Sequence, residues 1–402
     1  MLRIAQTPRP GWQARVESQG FHFHSIDPDG KDLAGQTDKF LYWREDVAYQ
    51  FSAAQIETLY EATQEVHAMC MDLCQDVFRR GDLARLGMTP LAQALAHQSW
   101  QYSDPHLYGR FDVAWDGQGP PRFLEYNADT PTSLIESAVV QWFWKEDVHP
   151  SADQFNSIHE ALVARLSAIK AQKGLTRLHM AGMVESQEDT GNLEYLMDVA
   201  LQAGLESGIV DMADIGRSGD GQFVDLQGER IEAVFKLYPW EWLAADPFAN
   251  DIGASATLWL EPAWKQVLAN KALWALLWER HAGHPLLLPT HFEPHALNGQ
   301  PFVKKPFLSR EGANVELFDA HGQRTLAVDG GYGAEGHVYQ ALTPVARFAA
   351  PEATSWHGPQ DAMHVVLGTW VVGDEAVGLA VREDISPVTK NSAYFVPHFF
   401  ID

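Results

Sequence analysis

The run RFDVAWDGQGPPRFLEYNADTPTS, residues 110–133, decides how the rest of the chain is read. Two short extended segments flank a glycine- and proline-rich turn, the pattern of a β-hairpin with a long loop. Arg110 and Asp112 stand two apart on the first strand, so their side chains share a face. Glu125 and Asn127 do the same on the second. Pairing the strands brings a guanidinium, two carboxylates and an amide oxygen to one place. Carboxylate and amide oxygens are the donors that a hard cation such as Mg²⁺ prefers, and arginine suits a phosphate carried by such a metal. The spacing fits equally a surface hairpin whose polar face is merely solvated. After the hairpin, Ala128 to Ser133 form a hydroxyl-rich loop that opens into the apolar run Leu134–Trp144. Helix N-terminal amides and hydroxyls there can hold a carboxylate, or serve as plain caps.

At 402 residues, with 46% hydrophobic and 20% charged residues, the chain has room for two or three domains with proper cores. No secretory leader is apparent at the N-terminus, and no apolar run of about 18 residues exists, so no membrane span is expected. The two cysteines, Cys70 and Cys74, lie one helical turn apart without a matching His/Cys set, which argues against disulfides and zinc. A cytoplasmic protein is expected. A formal net charge of −24 argues against nucleic acid as a partner, since phosphate backbones demand clustered Lys and Arg. It suits a cationic small molecule such as an amine, although solubility explains it as well.

Residues 1 to about 50 read as short strands and loops. Phe51 to Arg79 place Ile56, Leu59, Val66, Cys70, Leu73 and Val77 at helical spacing, with Ser52 as N-cap. Another helix is expected around Leu91–Trp100, and an amphipathic one between Asp153 and Lys173. The segment Leu178–Val184 then reads as a strand, followed by an acidic loop, a helix over Leu193–Ala203 and a strand near Gly208–Met212. Such a strand–helix–strand unit places ligands at the strand's C-terminal edge, where Glu188 and Asp189 stand. An acidic loop is also what a solvated surface produces. Further on, PFVKKPFLSREGANV, residues 301–315, reads as a strand carrying Lys304 and Lys305 before a loop with Ser309, Arg310 and Gly312. A lysine on such a strand can neutralise nucleotide phosphates while the loop amides cover them. The GxxxxGK[ST] pattern is absent from the chain. The strand Val338–Leu342 is apolar enough for an adenine slot, as any buried strand is, and residues 368–384 form a hairpin-like meander around Gly373-Asp374 that carries Arg382.

The RFD…LEYNADTPTS hairpin, the EPAWKQVLANKALWALLW helix, the VKKPFLSREG loop, the VYQAL strand and the GTWVVGDEAVGLAVRED hairpin together resemble one family. It is the synthetase domain of glutathionylspermidine synthase and its stand-alone relatives of the YgiC/YjfC type, and the similarity runs through nearly the whole chain. The resemblance implies an α/β (α+β) architecture: an ATP-grasp fold with permuted topology plus a Rossmann-like pre-ATP-grasp region. The corresponding division is an N-terminal helical region with the hairpin (1–150), a pre-ATP-grasp substrate region (151–265) and a nucleotide-binding region (266–402). It further implies ATP- and Mg²⁺-dependent joining of a small carboxylate or peptide to an amine through an acyl phosphate. Amidase activity is not expected, because the bifunctional enzymes carry it on a separate cysteine amidase domain.

Residue by residue, the resemblance makes Asp112, Glu125 and Asn127 the magnesium ligands and Arg110 the arginine beside the transferred phosphate. Lys271 and Lys305 match the nucleotide-phosphate lysines, and Arg382 a further phosphate-side arginine. Gln340 and Leu342 fall where the adenine edge is read. Thr130 and Thr132 stand where the family holds its peptide with serines, and Glu188 and Asp189 match an acidic pair associated with the polyamine. The threonines, and a longer segment around residues 320–336, leave both substrates open. A nucleotide-binding regulatory protein without turnover and a polyamine-binding protein are the alternatives. The sequence names neither a general base nor an oligomeric state.

Overall fold

A computed structural model describes residues 1–26, 40–350, 362–390 and 393–402. The expected hairpin consists of strands Tyr108–Ala114 and Arg122–Asn127. Trp115 closes its turn, its indole N–H donating to the carbonyls of Gln118 and Gly119. Gly117 takes φ 92° there, a conformation open to glycine at no steric cost. Phe111, Val113, Phe123 and Tyr126 are buried on one face, with the Phe111 and Tyr126 rings stacked 3.7 Å apart. Burying that apolar face fixes the register, since a one-residue slip would turn it to solvent. Arg110 consequently lies opposite Asn127, and Asp112 opposite Glu125. A bulge follows, because Val113 pairs with Phe123 and leaves Leu124 over.

The hairpin is the edge of an antiparallel sheet completed from the far end of the chain. Tyr108–Ala114 pairs with Ala362–Val372, which pairs with Glu375–Asp384, which pairs with Tyr394–Val396. A second sheet is parallel, ordered Leu258–Leu260, Ala233–Lys236, Arg177–Gly182, Glu206–Asp211. Helix Gln187–Gln202 connects its last two strands, as the alternating strand–helix–strand pattern predicts. A third sheet, of five antiparallel strands, centres on Phe302–Pro306, between His337–Ala341 and Glu316–Phe318. The chain ends meet in a small sheet, where Val47–Ser52 pairs with Leu2–Ala5 on one side and His398–Ile401 on the other. α and β elements are thus interleaved throughout.

Helix Ala53–Arg80 begins on the expected cap. Ser52 Oγ accepts the Gln55 amide at 3.3 Å, and the Gln55 side chain accepts the Ser52 amide in return. Cys70 and Cys74 are free thiols buried in its inner face. The amino-terminal region differs from expectation by the short helix Trp12–Glu17, whose Trp12 and Val16 are anchored in the core. The helix expected from Asp153 starts only at Ile158, because the preceding segment bridges instead to Phe400 and Gly378. Among the described residues no helix is long and apolar enough to cross a membrane.

Candidate active site

The polar face of the hairpin forms one wall of a cavity of about 420 Å³. Arg110, Asp112, Glu125 and Asn127 all line it, as do Lys271, Lys305, Ser309, Gly312, Gln340, Leu342, Arg382, Thr130, Thr132 and Asp189. Residues of the two larger antiparallel sheets therefore converge on one space with others from the helix and loops that follow strands of the parallel sheet. Glu188 is not on its surface; it stands behind Asp189 in the first turn of the same helix.

At one end the hairpin carboxylates face the two lysines. Lys271 Nζ lies 3.2 Å from Glu125 and donates to the Ser309 carbonyl at 2.5 Å. Lys305 donates to Gln340 Oε1 at 2.8 Å and to the bulged Leu124 carbonyl at 3.3 Å. The bulge thus supplies the acceptor that aims this lysine. Burial alone would raise the Glu125 carboxyl, but Lys271 and Lys305 overcome it and hold the group down to about 2. Burial, helped by Lys271, brings the Lys305 ammonium down to about 8. Burial and the neighbouring Glu125 charge raise Asp112 despite Arg110. Arg110 donates to Asp112 at 3.1 Å and to the Thr132 carbonyl at 2.8 Å, with its guanidinium 5.6 Å from the Trp370 ring centroid. Gly368 gives it room, since a Cβ there would lie 2.8 Å from Arg110 Cδ.

The donors fit the ligands implied for them. Asp112, Glu125 and Asn127 present two carboxylates and an amide in a cross-strand set, the hard-oxygen chemistry of Mg²⁺. Among the described residues no group of three or more His, Cys, Asp or Glu is placed to hold a metal ion. Ser309 Oγ and Arg382 Nε–H are shut off from solvent and meet no partner, although both residues line the cavity. Orphaned donors beside two lysines and an arginine suit a polyanion.

Further carboxylates stand about the threonine loop. Asp129 anchors the threonine loop, accepting from Lys236 at 2.6 Å and from the Trp240 amide at 2.9 Å. Arg310 crosses above it, bound to Thr130 Oγ at 2.5 Å and Glu241 at 3.1 Å. Burial and the adjacent Glu188 charge push Asp189 up to about 6. They push Glu136, wholly buried behind the loop, up to about 7. Tyr42 donates to Glu136 Oε1 at 2.8 Å, while the other oxygen has no partner.

A family model described as glutathionylspermidine synthase preATP-grasp matches residues 3–401. The chain belongs to the glutathionylspermidine synthase family. A Haemophilus influenzae protein named "Putative acid–amine ligase" is 40% identical, with both chains covered completely. Crithidia fasciculata trypanothione synthetase is 27% identical over 82% of this chain and 54% of its own. The Escherichia coli bifunctional glutathionylspermidine synthetase/amidase is 24% identical over 87% of this chain and 58% of its own. The chain therefore spans little more than half the length of these two synthetases.

For a glutathionylspermidine synthase family member, three features of the site were not anticipated. Glu136 is the one carboxylate within the apolar run Leu134–Trp144, and that isolation was its signal. Arg310 was placed in the loop, but its pairing with Glu241 and Thr130 arises from segments far apart in sequence. The Leu124 bulge has no sequence mark of its own.

Proposed function

We propose that the protein joins a small carboxylate or peptide to an amine, using ATP and Mg²⁺ and passing through an acyl phosphate. It is a carboxylate–amine ligase of its family; the energy source and the sequence of steps are our reading. The observation that carries this reading is the convergence of Asp112, Glu125 and Asn127 with Lys271, Lys305 and Arg110 on one cavity. Asp112, Glu125 and Asn127 would hold Mg²⁺, which offsets phosphate charge when bound. Lys271 and Lys305 neutralise the nucleotide phosphates, Gln340 and Leu342 take the adenine edge, and the Ser309–Gly312 loop covers the phosphates. Thr130 and Thr132 orient the acid. Its carboxylate attacks the γ-phosphorus beside Arg110 and Arg382, and ADP leaves.

The amine nitrogen then attacks the acyl carbon, and phosphate leaves as the amide forms. Glu188 and Asp189 draw the ammonium in, but the attacking nitrogen must first shed its proton. Asp189, on the cavity wall, receives it, and Glu136 behind the loop shares the charge. Both are carboxyls raised toward neutrality, as a proton acceptor at neutral pH requires. The test is ADP release across a panel of small peptides and amines. Release requiring both an acid and an amine, and lost in a folded Glu125→Gln variant, supports the reading. ATP binding without turnover under every pairing would point instead to a nucleotide-responsive regulatory protein.

A further inference from the structure

Behind the hairpin, two ion pairs lie inside the protein. Asp129 meets Lys236 at 2.6 Å, and Glu261 meets Lys265 at 2.9 Å. Lys236, Glu261 and Lys265 expose nothing to solvent, and Asp129 exposes 2%. Lys236 ends strand Ala233–Lys236, and Glu261 directly follows the parallel neighbour Leu258–Leu260, so both arise at one edge of that sheet. Most of their remaining bonds go to backbone. Glu261 accepts the amides of Leu107 at 2.9 Å and Tyr108 at 2.8 Å, and Lys265 donates to the Tyr108 carbonyl. Asp129 accepts the Trp240 amide at 2.9 Å, and Lys236 donates to the Tyr238 carbonyl at 3.0 Å. Trp240 ties the pairs together. Its indole N–H donates to the Glu261 carbonyl at 3.0 Å, and the Lys236 ammonium stands 4.7 Å from its ring centroid. Burial draws both ammoniums below their ordinary range in spite of the carboxylates beside them.

These groups grip the hairpin at its open end, where Arg110 stands opposite Asn127. Glu261 and Lys265 hold the first strand at Tyr108, shortly before Arg110. Asp129 holds the exit from the second strand, between Asn127 and Thr130. Buried ion pairs are a poor source of stability, because apolar side chains of like volume commonly serve as well. Directed bonds to backbone do what an apolar contact cannot: a fully satisfied polar network specifies one arrangement of the strands it holds. None of the four residues lines the reaction cavity, so they act through the hairpin and touch no substrate. We propose that Asp129, Lys236, Glu261 and Lys265 are positioning residues, a brace that holds both hairpin strands in the alignment the reaction needs. It sets Arg110 against the transferred phosphate and Asp112, Glu125 and Asn127 against the metal, and in this it rests on the function proposed above.

The experiment compares kcat, ATP binding and thermal melts across paired substitutions, using an acid and an amine that sustain ADP release in the wild type. Asp129→Leu/Lys236→Met replaces one pair by apolar groups. It should lower kcat about tenfold or more, as a small misplacement of reacting groups does. ATP affinity by calorimetry should stay within about threefold, because Lys271 and Lys305 lie on other elements. Asp129→Asn/Lys236→Met is equally uncharged but keeps an acceptor for the Trp240 amide, and should return kcat to within about threefold of wild type. Glu261→Gln/Lys265→Met leaves the Tyr108 carbonyl unheld; it should lower kcat about fivefold or more, and carries the test if the leucine variant does not fold. The control Arg9→Met/Glu45→Leu removes a buried pair that does not touch the hairpin, and should leave kcat unchanged whatever it does to Tm. Equal loss of kcat in this control, no recovery with asparagine, or wild-type kcat in the folded apolar variants overturns the proposal. Hydrogen exchange over residues 106–133, without ligands, should quicken in the same variants. If the wild type releases no ADP with any acid and amine, the ligase reading alone has failed, and exchange still reads the brace: protection equal to wild type overturns it.

Discussion

Glu125 and Lys305 each owe their charge state to the other's company in a buried space, so substitution at either exposes the coupling. Lys305→Ala should weaken ATP binding tenfold or more, in line with about 1.5–3 kcal/mol for a charged hydrogen bond; calorimetry unchanged from wild type would make the lysine structural. Burial brings this ammonium down to about 8, and an anion favours its charged form. ATP affinity should therefore fall as pH rises through about 8, and Lys305→Arg should flatten that limb. Asp189, the proposed proton acceptor, is pushed up to about 6, so turnover limited by amide formation should rise as pH passes through about 6 and its carboxyl ionises. Asp189→Asn should remove that limb and cost about a hundredfold or more in kcat; a retained limb would assign the proton elsewhere. Gly368→Ala drives a methyl against Arg110 Cδ and should lower kcat by about tenfold or more with the fold intact by circular dichroism. The hairpin residues were legible because a two-residue period on a strand leaves few faces to choose from. Gly368 and Leu124 were not, since their importance lies in what a distant strand brings beside them.

Among the elements, the turn joining Ala362–Val372 to Glu375–Asp384 has an unusual fastening. Asp374 Oδ1 meets His67 Nε2 at 3.2 Å and His106 Nε2 at 3.4 Å. His67 in turn bonds the Tyr126 hydroxyl at 3.1 Å, beneath the ligand hairpin. Hydrogen bonds from His106 and His67 hold the Asp374 carboxyl far below its ordinary value, so its contribution is present above about pH 4 and lost as pH falls below it. The carboxylate is 68% exposed, which limits that contribution to about 0.5–1 kcal/mol. Asp374→Asn should therefore lower Tm slightly near neutrality, with the difference from wild type shrinking only as pH falls below about 4 toward the carboxyl's own depressed range, a trend that thermal melts across acidic pH will read. At this scale the long capped helix, the strand–helix–strand unit and the terminal hairpin were legible from periodicity and turn residues. Helix Trp12–Glu17 was not: six residues carry too little period, and core contacts with its tryptophan stabilise it.

Across the whole molecule, the two ends of the chain lie side by side on Val47–Ser52, and Arg3 bonds Glu383 at 2.8 Å. Deleting residues 398–402 should strip one neighbour from that strand and lower Tm by several degrees, with nucleotide binding retained in the molecules still folded. Fluorescence melts would check it, and an unchanged Tm would show the terminal strand to be dispensable. Such closure was invisible in the sequence, because no local pattern says which distant strand an edge will choose. The same interleaving governs the reaction centre, where Asp112 lies opposite Gly368. A ribosome adding about 5–20 residues per second reaches the partner strand on the order of ten to fifty seconds after the hairpin emerges. Throughout that interval the acidic hairpin waits as an open edge, and for its first part the carboxylates are gathered before Lys271 and Lys305 have been made. Assembly of this enzyme's chemistry is thus among the last events of its biosynthesis, and the nascent chain passes most of its life as an incomplete sheet for chaperones to guard.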